Sequence, residues 1–214
     1  MTDHLLSGLF LVAGLAVFAW DQYRLYVARY ELAALQRATL RDPLTGLANR
    51  AGIAQAWEQL APLRPWVVVV DLDGFKPIND THGHAAGDLV LTAVASRLRT
   101  VHGVAARLGG DEFAALLLNT DPAAASRRLA AAIAAPVRLP SGVAVSVTAS
   151  IGLAPASPAG LAAALADADA AMYRAKTTRA GVVAFDPLRD DHATAEPRPV
   201  LRVRDLTPAA EVGR

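Results

Sequence analysis

Trp66-Val67-Val68-Val69-Val70 is an unbroken apolar run, β-branched after its first residue, and it closes on Asp71-Leu72-Asp73. A strand with one wet face alternates polar with apolar, so a run like this predicts a central strand covered on both faces. In open α/β sheets, ligands collect beyond the strand ends. Acids at the end of such a strand are therefore candidate ligands. Alternation puts Asp71 and Asp73 on one face and Leu72 on the other, and the backbone carbonyl of Leu72 still offers a hard oxygen of the kind magnesium accepts. Asp is also a common helix N-cap, and for Asp73 that structural reading is the one we keep.

A second segment narrows the chemistry. Arg107-Leu108-Gly109-Gly110-Asp111-Glu112-Phe113 lies between the apolar runs Val104–Ala106 and Phe113–Leu118, which predicts a hairpin with Gly109 and Gly110 at its tip. Glycine supplies the positive φ of tight turns and lets another molecule approach the backbone. Two adjacent acids there repel each other unless a cation or a proton settles them. Bare backbone beside paired carboxylates suits a magnesium–nucleotide complex better than a packed core.

Taken with Phe75-Lys76-Pro77-Ile78-Asn79-Asp80-Thr81-His82-Gly83-His84-Ala85-Ala86-Gly87-Asp88 and the earlier Asp42-Pro43-Leu44-Thr45-Gly46-Leu47-Ala48-Asn49-Arg50, these segments resemble the GGDEF family of diguanylate cyclases, over residues 40–186. Several motifs in order are far more specific than one Gly-rich loop. The resemblance implies an α+β fold, ferredoxin-like and akin to the nucleotidyl-cyclase palm, with a mainly antiparallel central sheet flanked by helices. It implies condensation of two GTP into cyclic di-GMP and two pyrophosphates, with Mg2+ or Mn2+ as cofactor. The implied metal ligands are Asp71, the backbone of Leu72, and Asp111, and Asp111 or Glu112 is expected near the attacking 3′-hydroxyl. Asn79 and Asp88 correspond to the guanine-reading pair, with His84 nearby. Phe75, Lys76, Gly109 and Gly110 correspond to substrate-binding positions, Phe75 and Lys76 lying against the β- and γ-phosphates. Lys176 corresponds to a later phosphate-contacting lysine, although its Ala-rich helical run alone reads as a solvated face.

The residue types make chemical sense of that assignment. Asp88 can accept from guanine N1–H and the exocyclic amine, and the Asn79 amide can meet O6 and N7. Leaving such groups unmatched disfavours ATP. One domain holds one GTP, so ring closure calls for a homodimer with the site between subunits. Many family members carry an Arg-x-x-Asp that binds inhibitory product. Here those places are Thr100 and Gly103, so product inhibition at that site is expected to be absent. Arg179 sits one residue off the usual family spacing. His82 and His84, two apart and without cysteine or a third ligand, read as polar loop groups rather than a transition-metal pair.

Outside the catalytic region, residues 5–20 carry no charge. At ~1.5 Å per residue they span roughly 24 Å, a little short of a ~30 Å hydrocarbon core. Trp20, Tyr23 and Tyr26 are placed for an interfacial belt, and Arg24, Arg29, Arg37 and Arg41 follow while the front has no Lys or Arg. We therefore expect a single-pass anchor over 1–21 in the inner membrane with the catalytic domain cytoplasmic. A cleaved signal peptide is disfavoured by the missing basic start. Leu25, Ala28, Leu32, Leu35 and Thr39 repeat at 3–4–3–4 spacing, which reads 22–41 as a linker helix and a candidate coiled-coil stalk. No sensor domain is recognisable, so a sensor partner or the anchor would carry the input.

The catalytic domain is expected over 42–186, with helices at 50–61, 87–101, 121–135 and 158–178 and strands at 143–153 and 181–185. A proline- and charge-rich tail, 187–214, reads as disordered. The net charge of +1 gives no basic stripe for nucleic acid. The alternative to an enzyme is a non-catalytic GTP-binding or dimerisation module that regulates a partner.

Overall fold

The computed structural model describes residues 18–27, 40–118 and 121–190. Residues 18–27 belong to a first unit, 1–39, and form a helix, α1. Phe18, Trp20, Tyr23, Leu25 and Tyr26 are exposed on it, and the Trp20 and Tyr23 rings lie 6.1 Å apart. No helix among the described residues is long and apolar enough to cross a membrane. Most of the proposed anchor and nearly all of the heptad seam fall outside those residues.

The second unit is built on β1 (Trp66–Asp73). It pairs antiparallel with β3 (Glu112–Leu117) on one side and β6 (Thr148–Pro155) on the other. β2 (Gly103–Gly109) flanks β3, and β7 (Val182–Ala184) runs parallel to β6, giving the order β2-β3-β1-β6-β7. This is the expected mainly antiparallel sheet with helices on both faces.

The valine run accounts for the two-sided core. Val68, Val70 and Leu72 pack with Phe75 and Ile78 of α3 (Phe75–His82), with Val90, Val94 and Leu98 of α4 (His84–Leu98), and with Leu129 and Ile133 of α5 (Pro122–Ile133). Val67 and Val69 face the other way, onto Ile53 of α2 (Arg50–Leu60) and Leu161, Ala164, Leu165, Ala168 and Met172 of α6 (Leu161–Thr178). Gly152 lets α6 lie directly on β6, since a Cβ there would sit 2.0 Å from the carbonyl oxygen of Ala168 and 2.2 Å from the Met172 nitrogen.

Several local expectations differ from what forms. Residues 75–82, assigned no element from the sequence, are the helix α3. Gly74 turns the chain out of β1 at φ 77°, and Pro77 falls in the first helical turn, where its missing N–H costs nothing. His82 thus ends one helix and His84 begins the next, joined by Gly83 at φ 81°. α4 starts three residues earlier than Gly87, which lies buried inside it. The single strand expected over 143–153 is two. β5 (Ala144–Val145) pairs with β4 (Val137–Arg138) in a small hairpin before β6 joins the main sheet, and unbroken alternation cannot reveal a change of partner. Residues 187–190, assigned to the tail, form a turn anchored on α6. Asp190 is buried and accepts from Arg174 Nε at 2.5 Å and Nη2 at 2.9 Å. Residues 191–214 lie outside the described part.

Candidate active site at the hairpin and the end of the central strand

β1 delivers Asp71 to the hairpin in a fixed register. Its Cα partner on β3 is Glu112, and on β6 it is Ser150. The Leu72 N–H donates to the Asp111 carbonyl at 3.3 Å. The strand-end acid and the paired acids of the hairpin are thereby neighbours, as the sequence predicts. Asp71 is 4% exposed, and Lys176, in the last turn of α6, donates to its Oδ1 at 2.7 Å. Asp73 shares the face but not the role. Ser150 and Thr148 donate their hydroxyls to its two oxygens at 2.9 and 3.0 Å, so it ties β1 to β6.

The hairpin tip stands open. Gly109 and Gly110 have φ of 148° and 52°, and nothing lies within 4 Å of where a Cβ would project from either. Their glycine character is a backbone requirement, and the space above them is available to a ligand.

Three residues that sequence reasoning passed over hold this tip. Arg107 donates to the Gly110 carbonyl through Nε at 3.0 Å and Nη2 at 2.8 Å, while its Nη1 reaches both Asp42 oxygens at 3.2 Å. Asp42 also accepts from the Thr45 N–H at 2.8 Å and hydroxyl at 2.6 Å. Burial alone would raise the Asp42 carboxyl, but the Thr45 donors and the Arg107 guanidinium outweigh it and hold the group below its ordinary value. Arg50 donates to the Leu108 carbonyl at 2.7 Å and reaches within 4.0 Å of Glu112. The segment 42–50, quoted above only as a motif, is thus a brace clamped across the Gly109–Glu112 hairpin. The available signal was its charge pattern, Asp42 and Arg50 against Arg107.

The nucleobase candidates group on the α3–α4 pair, which begins one residue beyond β1. Asn79 Oδ1 is buried and receives no hydrogen bond from any described residue, an orphan that a ligand N–H would satisfy. A Cβ at Gly87 would lie 1.9 Å from that oxygen. Gly87 has no positive φ to explain it, so its role is to make room for the Asn79 carboxamide. Asp88 and His84 are exposed on α4, and Lys76 is exposed on the first turn of α3. Phe75 is different: its side chain is core, so only its backbone N–H is offered to a phosphate.

Among the described residues no group of three His, Cys, Asp or Glu is gathered. The offered ligands are the Asp71 and Asp111 carboxylates and the Leu72 carbonyl, all hard oxygens. That set fits Mg2+ or Mn2+, which take a few protein oxygens and complete their shell with water and substrate phosphates. At Thr100, where the resemblance implies an inhibitory Arg in other members, the hydroxyl donates to the Arg97 carbonyl at 2.7 Å. A Cβ on Gly103 would meet the Leu116 oxygen at 1.8 Å.

A five-stranded palm-like sheet carrying strand-end and hairpin acids defines a nucleotidyltransferase class of domain. Residues 39–181 match the family described as diguanylate cyclase, GGDEF domain, and the chain belongs to that family. It is 39% identical over 190 residues to the diguanylate cyclase TpbB of Pseudomonas aeruginosa, covering 79% of this chain and 42% of that protein. It is 40% identical over 161 residues to the diguanylate cyclase DgcN of Escherichia coli, covering 69% of this chain and 40% of the other. The chain therefore spans about two fifths of these cyclases. Among solved structures, the coiled coil and GGDEF domain of DgcB from Caulobacter crescentus, in complex with c-di-GMP, matches with TM-score 0.67 and 29% identity over 79% of this chain and 97% of that one. The GGDEF domain of the Pseudomonas aeruginosa TpbB matches with TM-score 0.59 and 39% identity, covering 68% and 94%.

Proposed function

We propose that this chain is a diguanylate cyclase, joining two GTP into cyclic di-GMP with release of two pyrophosphates. The observation that carries the reading is the register that sets Asp71 opposite Glu112 and Leu72 against Asp111. Asp71, Asp111 and the Leu72 carbonyl would hold Mg2+ or Mn2+, which when bound supplies charge neutralisation at the attacked phosphate. Lys76 and Lys176 add point charges for the triphosphate, and the open glycine tip accepts it without steric hindrance. Asn79 and Asp88 read the guanine; the Asn79 orphan is an acceptor, so it calls for a base N–H, and the O6 and N7 contacts expected from sequence fall to the amide's NH2 end.

Each domain holds one nucleotide, so two domains must face each other, and a homodimer is the working form. The heptad spacing of residues 25–39 supports a parallel stalk, and the Caulobacter relative likewise contains a coiled coil with its GGDEF domain. The uncharged run 5–20, the exposed aromatics at 18–26 and the arginines that follow support a single-pass anchor, with the domain on the cytoplasmic face of the inner membrane. An input partner fits this plan, and the Pseudomonas aeruginosa SiaD, 29% identical, was solved with its activator SiaC.

The test is incubation of the chain with GTP and Mg2+, followed by chromatography of the nucleotides. Cyclic di-GMP and pyrophosphate in a one-to-two ratio support the reading. GTP that binds and is not consumed leaves only a nucleotide-sensing module.

A further inference from the structure

We propose that Lys176 holds Asp71 against a divalent cation arriving alone and releases it when a triphosphate arrives, so that metal and nucleotide bind cooperatively. This rests on the reading of Asp71 as a metal ligand. The ammonium of Lys176 sits 2.7 Å from Asp71 Oδ1. The carboxylate side chain is 6% exposed and the lysine 45% exposed, so the acid is fixed and the cation is free to leave. The root of the lysine is firmly held, because α6 lies on β6 against Gly152 with Ala168, Met172 and Ala175 buried. Beyond that root, a flexible four-carbon stem can swing without disturbing the helix.

The neighbouring acids have partners of their own. Asp73 is occupied by the hydroxyls of Ser150 and Thr148. Glu112, opposite Asp71, has Arg50 within 4.0 Å. Lys176 is a cation paired with the strand-end acid. An ammonium held on Oδ1 and a divalent ion on the same carboxylate are like charges a few ångströms apart, so each weakens the other's hold on the acid. A cation entering alone has to displace the lysine from its counter-charge. A metal entering with a triphosphate brings oxygens that take the displaced ammonium, so the exchange conserves ion pairs. By linkage, nucleotide and metal then raise each other's affinity by the same factor.

The experiment is Mn2+ titration of the full chain by electron paramagnetic resonance, without nucleotide, for wild type, Lys176→Met, Lys176→Gln and Lys176→Arg. The affinity of a non-hydrolysable GTP analogue is measured in parallel, with and without Mn2+, and circular dichroism checks folding. The proposal expects the Met and Gln variants to bind Mn2+ alone at least about fivefold tighter than wild type, with the mutual enhancement between Mn2+ and analogue reduced. The Arg variant, which keeps the charge, should resemble wild type. Unchanged or weaker Mn2+ affinity in folded Met and Gln variants overturns it. If wild type and variants all fail to bind Mn2+ even with the analogue present, the metal reading of Asp71 falls, and this inference falls with it.

Discussion

Gly87 shows how a residue with no chemistry of its own sets the chemistry of a neighbour. It lies within α4, where glycine costs about 1 kcal/mol relative to alanine, yet its missing Cβ is what seats the Asn79 carboxamide. Gly87→Ala should therefore weaken GTP binding by about tenfold or more through loss of a buried hydrogen-bonded group, while helical propensity limits the loss of thermal stability. Calorimetric titration with GTP beside a thermal melt separates the two effects, and unchanged affinity would remove Gly87 from the base-reading site. Asn79 and Asp88 were legible as polar residues in a glycine-punctuated stretch. Gly87's role was not, because the contact crosses from one helix to another, and spacing alone cannot register it.

At the scale of elements, the brace between 42–50 and the hairpin is the feature with the clearest pH signature. Asp42 has a folded value below its ordinary one, so the folded state binds fewer protons than the unfolded chain near that pH. Its contribution is fully present above the ordinary carboxylate range and is lost as pH falls through the depressed value. Asp42→Asn should remove part of the acid-side loss of stability, measured as chemical denaturation from neutral pH down to about pH 3. Asp190 shows the same direction. Burial raises it, but Arg174 and the Asp186 N–H outweigh that, so Asp42→Asn is expected to leave some acid dependence behind. Arg107→Ala should slow turnover more than it weakens GTP binding, because the described hydrogen bonds of Arg107 go to the Gly110 carbonyl at the tip and to Asp42, not to Asn79 or Asp88, the residues proposed to read the base. The close approach of α6 to β6 gives a packing prediction. Gly152→Ala forces a methyl into backbone and should destabilise by about 2 kcal/mol or more, read from denaturation midpoints.

The elements also show what sequence could and could not supply. β1 and β3 were legible because their apolar runs are long and border on acids, and β2 because its short run faces β3 across the glycine tip. α3 was hidden because its eight residues include Pro77, Asn79 and Asp80 between Gly74 and Gly83, residues that signal turns. Its helical state is imposed by Phe75 and Ile78 reaching the core. The Lys176–Asp71 pair spans 105 positions of sequence, and only the folding of α6 across the sheet brings it about.

For the molecule as a whole, the prediction concerns product and pairing. Thr100 and Gly103 offer neither a guanidinium nor a carboxylate at the places where the family resemblance implies a product-binding Arg and Asp, so progress curves should run without stalling as cyclic di-GMP accumulates. Restoring the motif by Thr100→Arg with Gly103→Asp is not expected to rebuild that site cleanly, because the 103 side chain would meet the Leu116 carbonyl. Activity per chain should rise with concentration until the dimer saturates, a dependence that an active monomer would not show.

The most direct test of the account compares wild type with Asp111→Asn, measuring cyclic di-GMP formation from GTP and Mg2+ alongside GTP affinity. The expected result is product from wild type, a loss of at least about a hundredfold in the variant, and base recognition largely retained in both. Equal product from both proteins would contradict the assignment of the hairpin acid to the reacting centre.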